Sequence, residues 1–212
     1  MRTVIFDLDG TISDSSGGIL QSINYALNRM NAPAILPAEV GRYIGPPLRD
    51  SFVGLLKTTD DATLKEAVRF FREDYTTAGY KINELYEGIA EVLSQLAERD
   101  YHIFIATTKQ TDIARDVLSH FQLDQYFHGI YGGASEIPKP ELVRHILTEY
   151  NCMKGKSILV GDTHYDIHAA KTNTIFSIGA AWGFGEDSEI SEADVVIDSP
   201  KKLIKHIERL IG

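Results

Sequence analysis

A doubly wound parallel α/β sheet carrying an inserted helical unit is the fold the sequence predicts. Three observations predict it: short apolar runs spaced along the chain, helical patterns between them, and one stretch, 15–82, where the alternation stops. The runs are TVIFD (3–7), HIFIAT (102–107), GIYGG (129–133), SILVGD (157–162), IFSIGA (175–180) and DVVID (194–198). They are β-branched or aromatic and continuously apolar rather than alternating, as befits strands covered on both faces.

The intervening segments carry a helical period. Ile89, Val92, Leu93 and Leu96 share one face, as do Ile113, Val117, Leu118 and Phe121, and Leu142, Ile146, Leu147 and Tyr150. The last helix begins with Ser199 as cap and Pro200 in its first turn, and buries Leu203, Ile204, Ile207 and Leu210. Within 15–82 the patterns are helical at 19–30 and 62–78, with turn signals at Gly45, Pro46 and Pro47 between them. The expected division is a core of 1–14 and 83–212, interrupted by a helical cap of 15–82 placed by connectivity after the first strand.

Size and composition agree with one core and a modest insertion. The chain has 212 residues, 43% of them hydrophobic, enough for a buried core. Its formal charge of −9, from 30 acidic and 21 basic residues, opposes general attraction to nucleic acid polymers or anionic lipid. No apolar run reaches the roughly 18–20 residues that span a bilayer, and Asp7 and Asp9 interrupt the N-terminal run where a signal peptide needs apolar residues. A cytoplasmic protein, monomeric or weakly dimeric, is expected. The single cysteine, Cys152, excludes an intrachain disulfide framework.

The first strand ends on two acids, in DLDGT (7–11). Turn geometry is one explanation for Asp and Gly there. An EF-hand loop is not, because its sixth and twelfth positions fall on Ile12 and Gly18. The other predicted strands also end on chemistry-bearing residues: Thr107, Thr108 and Lys109 after the second, Lys139 beyond the third, Asp162 and Asp166 in GDTHYD after the fourth. Each has an ordinary reading alone, such as a helix cap or a surface charge. Together they stand where a parallel sheet places its ligand. Three carboxylates converging at about 4 Å repel by roughly 4 kcal/mol per pair at an effective dielectric near 20, so a cation or protons must compensate. An all-oxygen site with few carboxylates suits magnesium.

In order and spacing, DLDGT, Thr107, Lys139 and GDTHYD resemble the haloacid dehalogenase superfamily of phosphohydrolases. The insertion and its GRYIGPPL segment resemble the helical cap and cap loop of the phosphoglycolate-phosphatase-like branch. That resemblance implies a Rossmann-like core and a magnesium-dependent phosphatase acting on a small phosphate monoester. It implies Asp7 as nucleophile, Asp9 as general acid and base, and Thr107 and Lys139 on the phosphoryl oxygens. It further implies magnesium on Asp7, Asp162 and the backbone carbonyl of Asp9, with Asp166 behind them. Substrate contacts are expected from Thr108, Lys109 and Arg42. A phosphomutase of the same superfamily and a catalytically silent binding module are the alternatives.

Overall fold

A computed structural model describes residues 1–133 and 137–212. The strands are β1 (Thr3–Phe6), β2 (Ser13–Asp14), β3 (Glu84–Leu85), β4 (His102–Thr107), β5 (Gly129–Gly132), β6 (Ser157–Gly161), β7 (Phe176–Ala180) and β8 (Val195–Ile197). The helices are α1 (Ser16–Arg29), α2 (Leu48–Leu56), α3 (Asp61–Tyr75), α4 (Ile89–Glu98), α5 (Thr111–His120), α6 (Lys139–Glu149), α7 (His164–Asn173), α8 (Asp187–Ile190) and α9 (Leu203–Ile211). By its internal contacts the chain forms two compact units, Met1–Asp14 with Leu85–Gly212, and Ser15–Glu84.

The larger unit is built on a six-stranded sheet of order β5-β4-β1-β6-β7-β8, parallel at every pairing. The chain lays strands to one side of β1 through β5, then crosses to the other side at β6. The β1/β6 boundary is therefore the topological switch point, where a crevice opens beyond the carboxyl ends of the strands. Side chains alternate across the sheet. Ile5, Phe104, Ala106 and Leu159 join Leu142, Val143 and Ile146 of α6 and Ala169 and Ala170 of α7 in one core. Their neighbours Val4, Phe6, Ile103, Ile105, Ile158 and Val160 are equally buried on the opposite side. Burial of both faces explains why these strands read as unbroken apolar runs.

Two helices begin differently from their apolar patterns. In α6 the helix starts at Lys139, ahead of Leu142, because Pro138 caps it and Pro140 occupies a first-turn position that needs no amide donor. At the C-terminus, Ser199 accepts from the Lys201 amide at 3.4 Å and a 3₁₀ turn, Pro200–Lys202, precedes α9.

In the smaller unit α1 packs on α3, and α2 on α3. Asp60 caps α3 by accepting from the Thr63 amide at 2.8 Å. Phe71 meets Phe52 edge-on at 6.5 Å and stacks on Tyr75 at 5.2 Å. Only turn signals marked the middle of this segment, yet a 3₁₀ helix (Pro37–Tyr43) and α2 occupy it. With nine residues, of which Ser51 and Phe52 are buried, α2 is too short to show a period. Among the described residues no helix is long and apolar enough to cross a membrane.

Candidate active site

The site lies at the switch point and is assembled by four strand ends. Beyond β1 the Asp7 amide donates to Val160 O at 2.9 Å, extending the pairing with β6 by one residue. This seats Asp7, at the end of β1, beside the end of β6, where Asp162 follows Gly161. One carboxylate oxygen each from Asp7, Asp162 and Asp166 lies within 4.8 Å of the others, and all three residues are buried.

Lys139 bridges two of them. Its Nζ is 2.9 Å from Asp7 Oδ1 and 2.7 Å from Asp166 Oδ1. The contact with Asp7 is an ion pair without hydrogen-bond alignment, which leaves Oδ1 of Asp7 short of a hydrogen-bond partner. Asp166 is fully engaged: its Oδ2 accepts from the Thr163 amide at 3.1 Å and the Thr163 hydroxyl at 2.8 Å, a capping box that starts α7. Asp162 accepts from the Thr11 hydroxyl at 3.3 Å and from the Phe184 amide at 2.8 Å. Across from Lys139, Lys109 Nζ is 3.1 Å from Asp9 Oδ2.

Two glycines make room for the Asp162 side chain. Gly10 sits at φ +82, and a Cβ there would lie 2.1 Å from Asp162 Oδ2. At Gly183 a Cβ would lie 2.3 Å from the Asp162 Cβ. The loop after β7 thus closes on Asp162 through Gly183 and the Phe184 amide, and Trp182 ties the same loop to Thr11 O at 3.1 Å. No local pattern announces that the Phe184 backbone amide will serve an acid 22 residues away.

Burial dominates the electrostatics. It pushes Asp7 up to about 7, with Lys139 pulling the other way and Asp166 and Asp9 adding to the rise. Asp162 is pushed up to about 8 by burial, then by Asp166 and Asp7, against the Phe184 amide and Lys139. Burial also disfavours charge on Lys139, but Asp166 and Asp7 outweigh it and hold the ammonium charged beyond the ordinary lysine range. The phenol of Tyr86, which sequence reasoning did not single out, is held protonated by burial and by Asp14, Asp162 and Asp9.

Asp7 and Asp162 unfold to an ordinary value of 3.8, so between about pH 4 and pH 8 the folded state holds more protons than the unfolded one. The melting midpoint in chelator is expected to fall as pH rises through that window. A midpoint that climbs from pH 5 to pH 8 in chelator would contradict the burial of these acids.

Of the residues expected to form the site, Asp7, Lys139, Asp162 and Asp166 come together, and Asp9 is held by Lys109. Thr107 is buried at the end of β4, its hydroxyl accepting from the Lys109 amide at 3.2 Å, and Thr108 follows it. Arg42 stands in the smaller unit, exposed at the end of its first 3₁₀ helix. His164 pairs with Glu189 at 2.6 Å rather than with the acids.

The chain and its fold have counterparts among known proteins. The haloacid dehalogenase-like hydrolase family model matches residues 4–180. A 5'-nucleotidase of Pseudomonas aeruginosa is 34% identical over 190 residues, covering 88% of this chain and 86% of that protein. The tyrosine-protein kinase PtkA of Mycobacterium tuberculosis is 29% identical, over 100% of this chain and 72% of its own. A crystal structure described as a predicted phosphatase from Clostridium acetobutylicum superposes with a TM-score of 0.92 at 32% identity, covering 99% of each chain. On this footing, and with its acids gathered at the switch point of a parallel sheet, the chain belongs to the haloacid dehalogenase-like hydrolase family, among its phosphatases.

Proposed function

We propose that the protein is a magnesium-dependent phosphatase of small phosphate monoesters, working through an aspartyl-phosphate on Asp7. The observation that carries this reading is the arrangement of Asp7 and Asp9 on separate lysines: one carboxylate buried against Lys139, the other paired with Lys109. Two acids two residues apart thereby have different partners, and different tasks suit them.

In the first half-reaction an Asp7 carboxylate oxygen attacks phosphorus and the ester P–O bond breaks. Asp9 gives its proton to the departing oxygen, releasing an alcohol. In the second, the Asp9 carboxylate takes a proton from water as that water attacks the phosphorus. Inorganic phosphate leaves and Asp7 is regenerated. Lys139 and Thr107 serve as donors to the phosphoryl oxygens, whose charge fixed dipoles and ammonium groups stabilise without reorganisation.

The donor set fits a hard divalent cation. Four carboxylates, Asp7, Asp9, Asp162 and Asp166, face two ammonium groups, Lys109 and Lys139, which leaves a formal balance of −2. Asp7 and Asp162, with the Asp9 carbonyl, are the proposed ligands; Asp166, with both oxygens taken, stands behind them. Magnesium bound there offsets the repulsion between an anionic nucleophile and an anionic phosphoryl group. Millimolar magnesium is expected to raise the melting midpoint of chelator-treated protein, more at about pH 8 than at pH 5, because protons compete for the same carboxylates. No shift at either pH would refute the site.

The helical unit is proposed to govern substrate choice, with Arg42 and, from the larger unit, Thr108 as its candidate contacts. Phosphate release from phosphoglycolate, nucleoside monophosphates and sugar phosphates, with and without magnesium, tests the reading. Magnesium-dependent release is expected. An isomerised phosphate without free phosphate would select a phosphomutase, and no turnover of any ester would select a binding module.

A further inference from the structure

We propose that Lys109 positions Asp9 for proton transfer, holding Oδ2 so that Oδ1 is the atom that carries the proton. This rests on the reading of Asp9 as general acid and base, and it assigns the ammonium to Asp9 rather than to a second anionic group of the substrate.

The pair is 3.1 Å apart, and its side chains are only 10% and 13% exposed. An ion pair so nearly dry is far less screened than one on the surface, and it fixes the carboxylate's orientation. Asp9 Oδ1 is buried and accepts no hydrogen bond. Lys139 is already committed to Asp7 and Asp166, so the two lysines serve different acids.

The backbone that carries Lys109 is clamped as well. Its amide donates to the Thr107 hydroxyl at 3.2 Å. Two residues on, the Thr111 hydroxyl accepts from the Gly132 amide at 3.0 Å and donates to Gly132 O at 3.4 Å, tying the loop to β5. Gly132 permits this approach, since a Cβ there would lie 2.3 Å from Lys109 O. A loop anchored at β4 and β5 delivers the ammonium to one place.

The chemistry balances on one carboxyl. As the ester P–O bond breaks, the proton passes from Oδ1 to the leaving oxygen, and the negative charge that remains on Asp9 is shared with Oδ2, where Lys109 meets it. In the second half-reaction Oδ1 takes a proton from the attacking water.

The test compares Lys109→Met with wild type on two magnesium-supported substrates, an alkyl phosphate and p-nitrophenyl phosphate. An alkoxide needs the proton in flight, whereas nitrophenolate leaves without it. The expected result is a single-turnover rate of Asp7 phosphorylation about 100-fold lower from the alkyl ester and less than about 5-fold lower from the aryl ester, while hydrolysis of the phosphoenzyme, which needs Asp9 as base whichever ester formed it, slows equally for both. Lys109→Arg recovers part of the alkyl activity. In an Asp9→Asn background Lys109→Met should add no further loss, because the two act as a unit. Equal falls in the phosphorylation rate from both esters, or a rise in KM with both half-reactions intact, would overturn the proposal. Lys109→Gln carries the same comparison if the Met variant fails to fold. Wild-type protein that turns over neither ester would overturn the hydrolase reading itself, and this role with it.

Discussion

Asp7→Asn lowers turnover by about 10⁴-fold or more on every substrate, because an amide neither attacks phosphorus nor forms the acyl phosphate. The expected loss does not depend on the leaving group, which separates it from the effect of Asp9. Acid-quenched wild-type protein should carry covalent phosphate at Asp7, and Asp7→Asn none. In Asp9→Asn the aryl ester should still phosphorylate Asp7 while hydrolysis of the intermediate stalls, so that labelled protein accumulates. Folding should survive Asp7→Asn: the residue is nearly isosteric, its amide still pairs with Val160 O, and one buried acid is removed from a site with a net negative balance. Full turnover by Asp7→Asn would refute the nucleophile.

Lys139→Met is expected to be the most destabilising single change in the site. The ammonium is 4% exposed and touches two carboxylates that are 5% and 0% exposed. Removing it leaves Asp7 and Asp166 buried without their cation, at a cost of about 3–5 kcal/mol. For a chain of this size that lowers the melting midpoint by about 6–20 °C. The deficit should be larger at pH 8 than at pH 5, since Asp7, pushed upward by burial, takes a proton at the lower pH and sheds its unpaired charge. Adding Asp166→Asn should return part of the loss by removing one orphaned charge, although Asp166 also caps α7. Thermal melts at both pH values check the argument. A midpoint within 2 °C of wild type at pH 8 would mean that Lys139 is not the cation the acids depend on.

Much of this site is legible along the chain because its parts are local. Asp7, Asp162 and Lys139 each follow a strand directly or by a short loop, and the strands announce themselves through unbroken apolar runs. Asp166 could be placed one turn beyond Asp162 from helical spacing alone. The relations between residues far apart in sequence are less legible. Lys109 could be placed near the crevice but not against Asp9, because 100 residues and a strand crossing separate them. The Phe184 amide and the Gly183 contact with Asp162 have no side-chain signature at all. Tyr86 escaped notice because its phenol acquires meaning only beside Asp14, Asp162 and Asp9. In the smaller unit α2 was missed since nine residues do not complete enough turns to show a face.

The parallel sheet, the helical insertion and the acids, lysines and threonine that end the strands are all legible in residue order alone. Those depend on residue type, on unbroken apolar runs and on a period of 3.6, which neighbours along the chain express. Which cation serves which acid, which carboxylate oxygens remain open and which glycines let backbone approach Asp162 become visible in the folded chain. Charge pairing and burial act over a few ångströms in space, between groups that the order of the strands in the sheet, and not their order in the chain, brings together.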